Sequence, residues 1–216
     1  MPQVLSTEVG FSSESRVVRD TYALLSATLL VTAGVTWATM GLVTGIASIV
    51  CLLGGFGMIF AVSRLRNSGW GLVALFGFAI LEGLGIGPTI SYYMRSPTGA
   101  QVVSEASLLT AAVFVSLSAY VHVTKKDFSA WGGMLVTGLV VLIVASVIGL
   151  FFLSSSAYQL TLSAISAIIF SGFILFDTSR LVRGGETNYI MAALSLYLDV
   201  LNLFLDLLRL LSSDRR

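Results

Sequence analysis

Four acidic residues, Glu82, Asp177, Asp199 and Asp206, lie inside or at the ends of long apolar runs. A carboxyl group at membrane depth is costly and usually faces the interior of a helix bundle, where it can carry a proton, hold a cation or pair with a base. On a helix of 3.6 residues per turn, positions 199, 202, 206 and 209 fall within about 80° of one another. Asp199, Asn202, Asp206 and Arg209 therefore make one polar stripe on an otherwise apolar helix. Asp206 and Arg209, at i and i+3, also read as an ion pair near the interface. Asp199 has no such local partner. Glu82 stands among Gly77, Gly83, Gly85 and Gly87, so hydrogen bonding within a close-packed face competes with a role in an ion pathway. Asp177 closes an apolar run and reads in isolation as a solvated helix end. His122, the sole histidine, reads as an interface residue. No HExxH, CxxC or phosphate-binding loop occurs, so no catalytic residue, zinc site or cofactor is expected, and no enzymatic activity.

These residues must be positioned by transmembrane helices. Charged residues make up 11% of the 216, against about 25% in a soluble domain. None falls between Asp20 and Arg64, or between Asp127 and Asp177. About 20 apolar residues cross a bilayer as a helix, so each of those runs holds two spans. Residues 1–20 form a polar tail. Spans are expected at Tyr22–Met40, Ile46–Ser63, Trp70–Tyr92, Ser107–Val123, Trp131–Leu153, Tyr158–Phe176 and Tyr189–Leu211. Pro88 should kink the third, and Ser154-Ser155-Ser156 forms a turn. The fold class is an all-α integral membrane protein with a single seven-helix domain over residues 21–211 and a short charged tail at 212–216. Lipid cannot solvate the acidic stripe of the last helix, so six helices are expected around a central seventh.

Basic residues in short loops set orientation. With the N-terminus in the cytoplasm, inside segments hold Arg16, Arg19, Arg64, Arg66, Lys125, Lys126, Arg180 and Arg183, and the outside loops hold only Arg95. Arg215 and Arg216 would lie outside if the seventh segment crosses fully; a segment that dips in and returns is the alternative. A net charge of +1 gives no reason to expect nucleic-acid binding, and Cys51, the single cysteine, forms no internal disulfide.

Several segments together resemble the Bax inhibitor-1, or transmembrane Bax inhibitor motif, family. They are Gly83-Leu-Gly-Ile-Gly-Pro88, Thr124-Lys-Lys-Asp-Phe-Ser129 with Gly132-Gly133, Phe176-Asp177-Thr-Ser and Ser195-Leu-Tyr-Leu-Asp199-Val-Leu-Asn-Leu-Phe204. Arg19-Asp-Thr-Tyr22 and Gly184-Gly-Glu-Thr-Asn-Tyr-Ile190 are most similar to the bacterial branch that modulates the FtsH membrane protease. The resemblance implies a bacterial inner (plasma) membrane protein with seven helices. Its calcium-leak members sense pH through two aspartates, on the sixth and seventh helices, assisted by an arginine ending the second. The matching residues are Asp177 and Asp199, with Arg64 or Arg66. No acid stands in span two near Leu53, where some leak-type members carry a glutamate.

Two carboxylates in contact at low dielectric cannot both ionise cheaply, so such a pair shares a proton and titrates as a unit. Loss of that proton would drive helices six and seven apart, which supplies the bistable element a gate needs. Calcium prefers six to eight oxygens, and two carboxylates offer at most four, so calcium at Asp177 and Asp199 should bind weakly and transiently. The leading expectation is thus a pH-sensitive calcium or cation leak channel, with Glu82, Asn202 and Asp206 as further pathway residues. The second is a modulator of the FtsH protease. An intramembrane aspartyl protease is remote, because Leu196-Tyr-Leu-Asp199 stands where that class carries Gly-x-Gly-Asp.

Overall fold

The computed structural model describes residues 2–43, 45–152 and 155–213, with side chains described from Arg16 onward except those of residues 150 and 152. Arg215 and Arg216 and part of the serine turn at 154 lie outside the described residues. Seven α-helices occur among the described residues, with no strand: α1 Pro2–Ala38, α2 Gly45–Leu65, α3 Gly69–Met94, α4 Gly99–Thr124, α5 Gly132–Phe152, α6 Ser156–Val182 and α7 Tyr189–Ser213. A 3-10 turn, Ser129–Trp131, precedes α5. All seven helices are long and apolar enough to cross a membrane, α1 doing so over Arg16–Ala38.

Several expected boundaries differ, among them the end of α6, which runs past Phe176 and Asp177 to Val182. The polar segment 1–20 is helical from Pro2 and continuous with the first span. The polar stretch before Ser107 also belongs to a helix, since α4 starts at Gly99. Gln101 Nε2 donates to Glu105 Oε1 at 3.0 Å, one turn on, so polar side chains there satisfy one another locally while Val102 and Ala106 bury on the other side. A helix can outrun the hydrocarbon wherever its polar residues face water, which apolar length alone does not reveal.

The chain forms two compact units. The first, residues 1–92 and 181–197, contains α1, α2, α3 and the start of α7. Here α3 runs unbroken through Pro88. Proline removes one backbone donor and leaves the carbonyl four residues earlier without its partner. Hydroxyls converge on this stretch: Thr36 Oγ1 donates to Gly83 O at 2.9 Å and Ser48 Oγ to Gly85 O at 2.6 Å. One turn earlier, Thr32 Oγ1 donates to Ala79 O at 3.0 Å. The glycines permit this approach, for a Cβ on Gly83 would stand 2.8 Å from the backbone oxygen of Thr32.

Two further links complete this unit. Tyr197 is fully buried, with its OH 2.6 Å from Thr32 Oγ1 and its ring edge-to-face with Phe78 at 5.1 Å. Asn188 caps α7, Oδ1 accepting from Ile190 N at 3.1 Å and Met191 N at 3.0 Å, while Nδ2 donates to Arg66 O at 2.9 Å. Just before it, Gly184 adopts φ +71°, a left-handed conformation suited to glycine and to ending a helix.

The second unit, residues 93–180 and 198–216, contains α4, α5, α6 to Arg180 and the rest of α7. Its apolar centre is Phe170 and Ile174 of α6 with Leu203 of α7, against Val113, Phe114 and Leu117 of α4 and Leu139 of α5. Among the most apolar helices is α5, and only 6% of its span is buried in protein, as a lipid-facing helix should be. By contrast 61% of the α7 span is buried, the largest share of the seven. The acidic stripe pointed to that burial.

Candidate functional site

In the second unit α6 and α7 run antiparallel with one polar seam along their contact. At one end is the sequence Asp177-Thr-Ser-Arg180. Asp199 is 5% exposed, and its carboxyl is in hydrogen-bond contact with that of Asp177. A carboxylate accepts hydrogen bonds and donates none, so two carboxyls bond to each other only when one of them carries a proton. Asp199 Oδ2 is buried and takes no hydrogen bond from the described residues.

Arg180 faces Asp177, and the two residues between them tie α6 to α4 and to the α4–α5 connection. Arg180 Nη1 lies 3.9 Å from Asp177 Oδ1, and the guanidinium rests over the Phe176 ring at 5.6 Å. Thr178 is fully buried, with Oγ1 3.5 Å from Ser118 Oγ of α4. Ser179 Oγ accepts from Phe128 N at 3.1 Å. That bond docks the α4–α5 connection on α6: Lys125 ends α4 at φ +53°, Asp127 Oδ1 accepts from Ser129 N at 2.8 Å, and the buried Phe128 ring meets Trp131 edge-to-face at 5.1 Å. The segments singled out in the sequence, Thr124–Ser129 and Asp177–Arg180, thus form one assembly around the pair.

At the other end of the seam Ser163 and Ser166 of α6, 1% and 5% exposed, both hydrogen bond to Asp206 of α7. The expected Asp206–Arg209 ion pair is replaced by a bridged arrangement. Arg209 acts on Asp206 electrostatically, but its Nη1 donates to Ser163 Oγ at 3.2 Å. Asn202 turns its amide back to Leu198 O at 2.7 Å. In the first unit Glu82 is half-buried over the Gly55 notch, where a Cβ would stand 2.6 Å from Oε1. Arg64 and Arg66 are exposed at the end of α2 and belong to that unit too. The basic neighbour of Asp177 within its own unit is Arg180, whose i+3 spacing from Asp177 was the available signal. The two serines carried none, being indistinguishable by type from many other helix hydroxyls. Among the described residues no group of three or more His, Cys, Asp or Glu is placed to hold a metal ion.

A family model described as inhibitor of apoptosis-promoting Bax1 matches residues 14–216. The chain belongs to this Bax inhibitor-1 family. Among similar relatives is a membrane protein of Vibrio cholerae, 46% identical over 91% of this chain and 89% of its own length. The modulator of FtsH protease YccA of Escherichia coli is 40% identical over 94% of this chain and 93% of its own. Protein lifeguard 4 of the mouse is 37% identical over 76% and 68% respectively. The named relatives of this Bax inhibitor-1 chain are a modulator and an inhibitor family rather than enzymes, and the chain itself is a multi-pass membrane protein of that regulatory family.

Proposed function

We propose that this protein is a pH-sensitive calcium or cation leak in a bacterial inner membrane, with its N-terminus in the cytoplasm. The contact between the Asp177 and Asp199 carboxyls carries the reading. With one proton shared, the pair joins α6 to α7. With the proton gone, two anions face each other in a buried site, and their repulsion loosens the seam and frees oxygens for a passing cation. Arg180 places a positive charge 3.9 Å from the Asp177 carboxyl. Weak coordination suits permeation, which needs sites that release ions easily, and calcium is cargo here rather than a resident metal. Glu82, Asn202 and Asp206 are the further polar groups available to a pathway.

The test is calcium flux into dye-loaded liposomes holding purified protein, from about pH 5 to about pH 8. Flux should depend on pH in the wild type and lose that dependence in Asp177→Asn and Asp199→Asn. Absence of flux throughout the range would end this reading.

A second reading, modulation of the FtsH protease, is favoured by the near full-length likeness to YccA. Copurification with FtsH that survives both substitutions would support it, and the two roles are compatible.

A further inference from the structure

The polar cluster at the far end of the α6–α7 seam has no part in the proton switch. Asp206 lies seven residues beyond Asp199, about 10 Å along the helix, with the apolar group Phe170, Ile174 and Leu203 in the same unit. The hydroxyls of Ser163 and Ser166 both reach the Asp206 carboxyl, while its Oδ2 is buried and takes no hydrogen bond from the described residues. A buried anionic oxygen with an open valence is expensive in protein and more so in lipid. Arg209 supplies compensating charge from a distance, through Ser163 rather than by direct contact. The Asp206 carboxyl and the two hydroxyls thus offer four oxygens, beside the Arg209 guanidinium. Arg209 itself is exposed, although its Nη1 reaches the buried Ser163.

We propose that Asp206, Ser163 and Ser166 form a second, outer station for a metal cation, blocked at rest by the tethered positive charge of Arg209. An all-oxygen set with one carboxylate favours a hard cation retaining several waters, and swinging the guanidinium off Ser163 would open the station. This deepens the leak reading and rests on it for its physiological sense. Its test is a binding measurement, which stands even if liposomes show no flux.

Mn2+ serves as the probe, its free signal followed by electron paramagnetic resonance with full-length protein in detergent. Arg209→Gln and Arg209→Met should each bind Mn2+ at least about tenfold more tightly than wild type, the effect of removing a neighbouring cation. Adding Asp206→Asn to either should abolish the gain. Arg209→Lys, which keeps the charge, should stay near wild type. No gain in either neutral variant would overturn the proposal, as would a gain in Arg209→Lys as large as theirs, which would trace the effect to loosened packing. Retention of the gain in the double variant would also overturn it. Two neutral replacements of different shape keep the test available should one of them fold poorly.

Discussion

The carboxyls of Asp177 and Asp199, on different helices and 22 positions apart, touch across the α6–α7 interface in hydrogen-bond contact. Because neither carboxylate can donate, a hydrogen bond between them needs a proton on one. Asp199→Asn should keep the contact, since its amide donates to Asp177 without any shared proton. Infrared spectra at neutral pH should therefore lose a protonated-carboxyl band in this variant while the fold persists. A band unchanged from wild type would place the proton elsewhere.

Flux should follow the same chemistry. In Asp199→Asn and Asp177→Asn vesicles, calcium flux should vary by less than about twofold over the range in which wild-type flux is gated. A pH profile that survives either substitution would remove the pair from gating.

Tyr197→Phe tests the first unit. The single proton of Thr32 is committed to Ala79 O, so Tyr197 is the donor in their 2.6 Å contact. Its loss should cost only about 0.6 kcal/mol, the usual scale of a hydrogen bond between membrane helices, because Thr32 keeps its other bond. Denaturation in mixed micelles should register a small shift; a loss several times larger would mean the hydroxyl organises more than this contact.

Gly83→Leu should do far more damage. Even a Cβ meets the backbone oxygen of Thr32 at 2.8 Å, and backbone cannot turn aside as a side chain can. The separation of α1 and α3 must grow, at a cost of about 1–3 kcal/mol or more, and the Thr36–Gly83 bond should break with it. Gly133→Ala, where nothing lies within 4 Å of the added carbon, is the control.

Asn188→Ala removes the α7 cap and the tie to Arg66 O at once. A loss of about 1 kcal/mol is expected, with faster amide exchange at Ile190 and Met191 as the local sign. Protection unchanged at those two amides would show that the cap is dispensable.

Seven spans were legible because apolar length and charge-free runs are one-dimensional properties. So was the burial of α7, since a stripe of Asp199, Asn202, Asp206 and Arg209 tolerates no lipid. What periodicity could not convey was the choice of partner across helices. Arg209 reaches a serine 46 positions away rather than the aspartate one turn before it. Asn202 satisfies itself on its own backbone. Helix ends were misjudged where polar residues continue the helix into water, as at Gln101 and Glu105. Within its own unit Asp177 has Arg180 beside it, a neighbour that the i+3 spacing alone could have suggested.

The hydroxyls that hold α3 have a consequence for how the protein is made. Thr32, Thr36 and Ser48, which donate to Ala79, Gly83 and Gly85, all precede their acceptors in the chain. As synthesis proceeds from the N-terminus, α3 enters the bilayer with its partners already in place. Its proline-weakened stretch never has to face lipid alone. Tyr197 and Asn188, from α7, arrive last and fasten an assembly that is already built. Truncation before α7 should therefore leave the first three helices associated, and the final helix acts as a clasp rather than a scaffold.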